Sequence, residues 1–143
     1  MLRQHRPQTP LEAKFSAEFA VAAALVAGRV GLTELTADFL SRPSVQSLIT
    51  QVRVMPIDQS DPDDPLFAPA DTAQITLADG TTLRADPVRY ARGHARNPID
   101  VEALHAKFAD CVSDALPPAA RDRLFERLQK LEVQPSVSAI CSP

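Results

Sequence analysis

The sequence predicts an α+β fold in which several helices cover one face of a small antiparallel sheet. Apolar residues recur at helical spacing in several segments, and in one segment with a turn signal they alternate with polar residues. Thirteen prolines against four glycines indicate stiff loops and helix ends. Because 143 residues fit one domain with an ordinary core, we expect a single domain over 1–143 with a loosely ordered tail at 133–143.

The first predicted helix runs from about Leu11 to Ala27 and is apolar on almost every side. Thr9 has the position of an N-cap, Glu12 has capping-box spacing from it, and Pro10 suits the first helical position. Gly28 is the expected stop. Because such a helix needs apolar neighbours on several sides, we expect a buried helix at the N-terminus that lies innermost in the fold.

Two more helices and a short strand are predicted after it. Thr33 can cap a helix that carries Leu35, Phe39 and Leu40, and Pro43 can begin another helix. The second of these has apolar residues at helical spacing, namely Val45, Leu48, Ile49 and Val52. Valines then alternate with an arginine, which predicts a strand at 52–54 that ends before Pro56.

Residues 73–86, AQITLADGTTLRAD, predict a β-hairpin whose register follows from its two faces. A two-residue turn at 79–80 sets Ile75 and Leu77 opposite polar residues. A three-residue loop at 78–80 instead pairs Ile75 with Leu83 and gives one apolar face. The second register also places Gly80 at the left-handed position of a bulged turn, so we choose it.

The C-terminal part is predicted to be a long loop followed by two helices. Residues 86–98, DPVRYARGHARNP, have no period, and Asn97-Pro98 marks a helix start. That helix carries apolar residues at Val101, Leu104, Phe108, Val112 and Ala115 and ends at the prolines of 117–118. A last helix carries Leu124, Phe125, Leu128 and Leu131.

Composition argues against two classes of partner. The formal net charge is −3 with scattered lysines and arginines, so we expect neither nucleic acid nor an anionic membrane surface as a partner. No run of 18 apolar residues occurs, and the segment MLRQHRPQTP lacks the apolar core of a secretory signal.

Cys111 and Cys141 are isolated thiols; a disulfide is left open, and free cysteines in a reducing cytoplasm are favoured.

Metal binding is not favoured. The carboxylates at 58, 61, 63 and 64 are oxygen ligands that suit calcium, but the central glycine and terminal glutamate of an EF-hand loop are missing. We interpret them as a solvated surface loop. The three histidines, His5, His94 and His105, have no ligand spacing among themselves or with the cysteines.

Two groups of polar residues are candidates for a site. Lys14, Ser16 and Glu18 stand at the start of the first helix, with Phe19 beside them. The segment 90–96 supplies a phenol, an imidazole and two guanidinium groups, which suit a small carboxylate, since arginine binds carboxylate bidentately and histidine moves protons near neutral pH. On composition alone, solvent-exposed surface is the favoured interpretation of both groups.

Several motifs together resemble one family. RPQTPLEAKFSAEFAVAAALVAG, RPSVQSLITQVRV, ITLADGTTL, RGHARNPI and the AKF at 106–108 are similar, in the same order, to the C-terminal part of MmgE/PrpD proteins. That family includes 2-methylcitrate dehydratase, cis-aconitate decarboxylase and iminodisuccinate epimerase. The resemblance covers nearly the whole chain and implies the smaller α+β domain that closes over the site of a cytoplasmic lyase or isomerase.

The resemblance also implies partners and chemistry. The substrate is expected to be a di- or tricarboxylate, without a metal or organic cofactor. The partner is expected to be a larger N-terminal helical domain, in the same polypeptide or as a separate chain, and a homo-oligomer is allowed. Because the family's proton-transfer residues lie mainly in that helical domain, the isolated chain is expected to be inactive.

The resemblance places Phe19 at a position where family members carry a tyrosine. Because phenylalanine lacks the hydroxyl, Phe19 is not assigned as a catalytic residue. His94 belongs to a Gly-His pair of the family and is a catalytic candidate. The expected substrate-binding residues are Lys14, Ser16, Arg92 and His94, gathered at one open edge. The rival interpretation is a non-catalytic binding or interaction module that kept the fold.

Overall fold

The computed structural model describes residues 4–141, apart from the side chains at 139 and 141. Two compact units are present. The helical unit comprises the chain up to Val54 together with the chain from Val101 onward, and the hairpin unit comprises Met55–Asp100. Helices and a two-stranded antiparallel sheet confirm the predicted α+β class. The single domain over 1–143 and the loosely ordered tail stay predictions.

The helical unit contains short and medium helices. They are α1 (Pro10–Ala13), α2 (Ala17–Ala27), α3 (Ala37–Leu40), α4 (Pro43–Gln51), α5 (Val101–Cys111), α6 (Pro118–Leu128), a 3-10 turn (Leu131–Val133) and α7 (Val137–Cys141). Of the helices in the described residues, none combines the length and the apolar composition needed to cross a bilayer. Cys111 is a free, exposed thiol, as favoured; the side chain of Cys141 lies outside the described part.

The predicted helix over 11–27 is wrong as a single element, because it is divided into α1 and α2. Thr9 caps α1 as expected, accepting the Glu12 N–H at 3.3 Å. Ser16 then takes an extended conformation, and its hydroxyl accepts the Phe19 N–H at 3.1 Å, which begins a new helix. Gly28, at φ 70°, ends α2 as predicted.

Two predictions for the following segment are also wrong. Thr36 and not Thr33 caps α3, by accepting the Phe39 N–H at 3.2 Å, while the Thr33 hydroxyl donates to Asp110. Residues 52–54 form no strand, because two alternating valines do not supply a pairing partner. The helix that begins at Pro43 is confirmed as α4.

The apolar core of the helical unit lies between α2 and α4. Phe19 is 1% exposed and meets Phe39 edge to face, with ring centroids 6.3 Å apart. The other core residues are small or branched: Ala13, Ala22, Ala23, Leu40, Val45 and Ile49. Near its C-terminal end α2 is not covered within the described residues, since Leu25 is 48% exposed. The apolar helix is therefore buried on one side only.

Helices α5 and α6 meet through aromatic rings. Phe125 is buried, and its ring centroid lies 5.5 Å from that of Phe108 and 4.7 Å from that of His105. The start predicted at Asn97-Pro98 is wrong by a few residues, because the Asn97 N–H and side-chain amide donate to carbonyls of the preceding loop. Helix α5 begins at Val101 and ends at Cys111.

The hairpin unit is built on β1 (Gln74–Thr76) and β2 (Thr82–Arg84). Ile75 pairs with Leu83, which confirms the register of the three-residue loop. Gly80 has φ 86°, as the bulged turn requires. The Asp79 carboxylate accepts the Thr81 N–H at 2.8 Å, and this bond lowers the pKa of Asp79.

Candidate functional site

The polar residues at the start of α2 are mostly engaged within the protein. Ser16 and Glu18 are each only 4% exposed. The Ser16 hydroxyl accepts the Phe19 N–H and donates to Glu18 Oε2 at 3.3 Å. Lys14 stands at the C-cap of α1 with an exposed side chain. Because Ser16 already satisfies the first turn of α2, an anion has less to gain there than the sequence indicates.

A histidine missed as a site residue lies beside this cluster. His5 Nδ1 is 2.8 Å from Glu18 Oε1, and the imidazole is 64% exposed while the Glu18 side chain is 5% exposed. Since Glu18 is the lone polar residue of an apolar helix, the sequence indicates that it needs a partner. The sequence could not identify that partner, which lies in an irregular segment before α1.

Phe19 is a core residue. Its ring is 1% exposed, against Phe39, and it carries no polar atom. At this position the resemblance expects a tyrosine hydroxyl near the reaction. The side chain of Phe19 therefore adds packing, and it offers no group that could transfer a proton.

In the hairpin unit, polar and aromatic side chains gather around Tyr90. The His94 ring stacks on Tyr90 with centroids 4.8 Å apart, and the guanidinium carbons of Arg89 and Arg96 lie 5.2 and 5.3 Å from the tyrosine centroid. Arg96 Nη1 donates to the phenol oxygen at 2.6 Å, and Asn97 Nδ2 donates to the Tyr90 carbonyl at 2.8 Å. We call these five residues the tyrosine cluster.

The tyrosine cluster fixes the orientation of one predicted site residue. The Arg96 backbone N–H donates to His94 Nδ1 at 3.1 Å, so Nδ1 is the acceptor and the neutral ring carries its proton on Nε2. Gly93, at φ 95°, allows the tight turn that brings these groups together. Arg92 is exposed beside them, and within the described residues it has no hydrogen bond or ion pair.

The predicted site residues fall into both units. Lys14 and Ser16 belong to the helical unit, and Arg92 and His94 belong to the hairpin unit. Within the hairpin unit the structure joins His94 to Tyr90 and Arg96. The common edge for all four residues stays a prediction.

An ion pair anchors the tyrosine cluster to the aspartate-rich loop. Arg89 Nε lies 2.6 Å from Asp61 Oδ2, and Arg89 Nη2 donates to Asp63 at 2.8 Å. The solvated-loop interpretation is therefore wrong for Asp61, which is 4% exposed. The backbone N–H of Asp63, the Arg89 guanidinium and the N–H of Asp64 lower the pKa of Asp61, although burial opposes them.

These contacts give the loop a structural role. The two carboxylates that touch Arg89 raise the pKa of the guanidinium. Within residues 4–141 no group of three or more His, Cys, Asp or Glu side chains is arranged to hold a metal ion. A shallow cavity of about 260 Å³ exists in the helical unit, lined by residues such as Pro7, Leu40 and Gln46, and none of the predicted site residues lines it.

The geometry describes an α+β chain that presents exposed histidine and arginine side chains and carries a partly uncovered apolar helix. Residues 1–131 match the model of the MmgE/PrpD C-terminal domain, so the chain belongs to the MmgE/PrpD family. It is also similar to cis-aconitate decarboxylase of Mus musculus, with 30% identity over 127 residues. That similarity covers 88% of this chain and 25% of the relative, so the chain spans about a quarter of the relative's length.

Proposed function

We propose that this chain is the C-terminal, substrate-closing domain of a cytoplasmic MmgE/PrpD-type lyase or isomerase that acts on a di- or tricarboxylate. The observation that carries the proposal is the match to the family's C-terminal domain over residues 1–131. The similarity to cis-aconitate decarboxylase, whose name gives a tricarboxylate substrate, favours the lyase class.

Exposed hydrogen-bond donors, two of them cationic, supply the carboxylate contacts. His94 presents an Nε2–H donor on the side of the ring away from Arg96, and Arg92 adds a guanidinium that can bind a carboxylate bidentately. Lys14 is a second exposed cation, and Ser16 contributes less because its hydroxyl is already engaged. No step of this binding needs a metal or an organic cofactor.

The partner is a larger helical domain, in the same polypeptide or in another chain. Apolar side chains remain exposed at the C-terminal end of α2 and just after it, namely Leu25, Val26, Val30 and Leu32. Covering them would bury apolar area and stabilise the contact by about 25 cal/mol per Å². A second copy of this chain is the competing occupant of the same surface.

The rival function is a non-catalytic binding or interaction module. The observation that favours it is Phe19, a buried ring without the hydroxyl that the resemblance expects. Carboxylate binding is common to both functions, so only turnover separates them.

The experiment combines the purified chain with a separately produced MmgE/PrpD helical domain and measures conversion of cis-aconitate and of 2-methylcitrate. We expect no turnover from the chain alone and measurable turnover from the mixture. Turnover by the chain alone would overturn the proposal that catalysis needs the helical domain. Carboxylate binding without turnover in the mixture would favour the rival function.

A matched pair of variants then tests the site. We expect Arg92→Gln to raise KM by about tenfold, because a charge-assisted contact is lost. Arg84→Gln removes an exposed arginine from β2 of the same unit and should leave KM unchanged. Equal effects of the two variants would refute the assignment of Arg92.

A further inference from the structure

We propose that His5 is a proton-transfer residue of the site completed by the helical domain, and that Glu18 is its positioning residue. This inference rests on the function proposed above. His5 Nδ1 is 2.8 Å from Glu18 Oε1, and Ser16 Oγ donates to Glu18 Oε2 at 3.3 Å. A buried carboxylate thus holds one edge of an exposed imidazole.

The carboxylate decides which ring nitrogen carries the proton. An ionised carboxylate only accepts hydrogen bonds, so His5 Nδ1 must be the donor and the lone pair of the neutral ring lies on Nε2. Glu18 is in the first turn of α2, where the helix dipole and the Ser16 hydroxyl stabilise the ionised form. The exposed ring therefore presents a proton acceptor to solvent.

The other two histidines have the opposite tautomer, with the proton of the neutral ring on Nε2. The Arg96 N–H donates to Nδ1 of His94, which leaves the proton on Nε2. His105 turns Nε2 toward Asp122 Oδ1 at 3.0 Å, so its Nε2 is engaged. Of the three histidines, all in the described residues, only His5 directs an Nε2 lone pair away from its partner.

Attachment of the N-terminal segment does not by itself explain the pair. The Gln4 N–H donates to the Phe15 carbonyl at 3.2 Å, Pro7 is fully buried, and the Gln8 N–H donates to Glu12 at 2.7 Å. These contacts already fix the segment against α1. The buried Glu18 carboxylate, which also accepts from the Ser16 hydroxyl, therefore restrains an exposed imidazole in a segment that other contacts already hold.

The reaction assigned to His5 is a reversible proton transfer. Nε2 accepts a proton from the carbon beside a substrate carboxylate, so a C–H bond breaks, an N–H bond forms, and the electron pair stays on the substrate. The resulting imidazolium is stabilised by the Glu18 carboxylate through Nδ1–H. In a lyase that removes water, the electron pair forms a carbon–carbon double bond while the C–O bond on the adjacent carbon breaks. The imidazolium then gives its proton to the departing oxygen, which leaves as water, and the neutral ring is restored.

The first test uses the chain as it is. Nitrogen-15 NMR of the neutral imidazoles should show His5 protonated on Nδ1, whereas His94 should be protonated on Nε2. Diethyl pyrocarbonate, which acylates an imidazole lone pair, should modify His5 faster than His94 or His105. Glu18→Leu, which removes every hydrogen-bond acceptor from that side chain, should abolish the Nδ1 preference of His5 and its faster modification. An Nε2-protonated His5, or equal modification of the three histidines, would overturn the proposal.

The second test uses the active assembly of chain and helical domain. His5→Asn, an exposed substitution, should lower kcat by about 100-fold or more with little change in KM, as expected for loss of acid–base catalysis. His105→Asn is the matched control and should leave kcat unchanged. Full activity of the His5 variant would overturn the role of His5 while the proposed function stands. An inactive wild-type assembly would overturn the proposed function, and this inference with it.

Discussion

The two units of this chain are stabilised by different forces. In the helical unit, Phe19, Val45 and their neighbours form an apolar core with exposures of a few per cent. In residues 55–100, all of which the structure describes, Asp61 is the only buried residue. The hairpin unit is thus stabilised by polar contacts: strand hydrogen bonds, the Asp61–Arg89 ion pair and the tyrosine cluster.

The two units should therefore be sensitive to different kinds of substitution. Apolar packing is distributed over many small contacts and responds to lost volume. Polar contacts are few and directional, so the loss of one group leaves its partners unsatisfied. The helical unit should therefore respond most to truncation of core side chains, and the hairpin unit to removal of single charges.

The largest expected effect is truncation of the core. Phe19→Ala should lower the free energy of unfolding of the helical unit by about 3–5 kcal/mol, because a fully buried ring is replaced by a cavity. Chemical denaturation followed by circular dichroism measures this. Leu11→Ala, at a side chain 70% exposed, is the control and should stay within about 0.5 kcal/mol of the parent. Similar losses in both variants would contradict the position of the core.

The corresponding change in the hairpin unit is Asp61→Asn. It removes the charge paired with Arg89, and amide exchange at Asp63 and Asp64 should rise by about tenfold, because their N–H groups lose an ionised acceptor. Asp58→Asn, at an exposed residue of the same loop, is the control. Unchanged exchange at these two amides would show that the ion pair does not hold the loop.

The pH dependence of the Asp61 contacts has a definite sign. Since the folded pKa of Asp61 lies below its ordinary value, the stabilisation is complete above the ordinary aspartate range and is lost as pH falls through the folded pKa. The difference in amide exchange between the parent and Asp61→Asn should therefore be constant near neutral pH and vanish in acid. A difference that grows as pH falls would reverse this assignment.

One backbone substitution can be made identically in both units. Gly28 and Gly80 have φ values of 70° and 86°, and an added Cβ would meet nothing within 4 Å at either. Each change to alanine should cost about 1–2 kcal/mol from the left-handed conformation alone. Because the hairpin unit lacks an apolar core, we expect Gly80→Ala to disrupt strand pairing, whereas Gly28→Ala only lowers the melting temperature. Amide exchange across β1 and β2 separates these outcomes.

The hairpin was predicted correctly from the sequence because its information is local. The alternation around Ile75 and Leu83 and the turn glycine lie within a few residues of one another. The break between α1 and α2 was missed because helical periodicity continues through it, while the Ser16 hydroxyl competes for the backbone. The strand at 52–54 was wrong because two residues of alternation carry too little information.

Contacts between distant residues were beyond the sequence patterns. The burial of Asp61 depends on Arg89, which is 28 residues away, and Glu18 is satisfied by His5 through an irregular segment. Of the candidate site, the sequence predicted the residue types and the exposed positions of Lys14, Arg92 and His94. It could not predict the hydrogen bonds that select a histidine tautomer, because these depend on the turn geometry.

The smallest effect on stability, and the clearest contrast between the surfaces of the two units, concerns exposed leucines. Leu25 and Leu32 are 48% and 52% exposed in the helical unit, and Leu66 and Leu77 are 90% and 42% exposed in the hairpin unit. Changing either pair to glutamine should alter stability by about 1 kcal/mol or less per substitution, because these side chains are about half exposed or more.

The two double variants should differ in how strongly they bind the helical domain. If the surface at the end of α2 receives the helical domain, the variant with glutamine at 25 and 32 should bind that domain more weakly and bind a hydrophobic dye less, while the variant at 66 and 77 should retain domain binding. Sedimentation of the chain alone tests whether a second copy, and not the helical domain, occupies this surface. If a second copy does, self-association should fall in the variant at 25 and 32 and persist in the variant at 66 and 77. Equal loss of domain binding in both variants would place the contact outside α2, and the exposed apolar end of that helix would need another explanation.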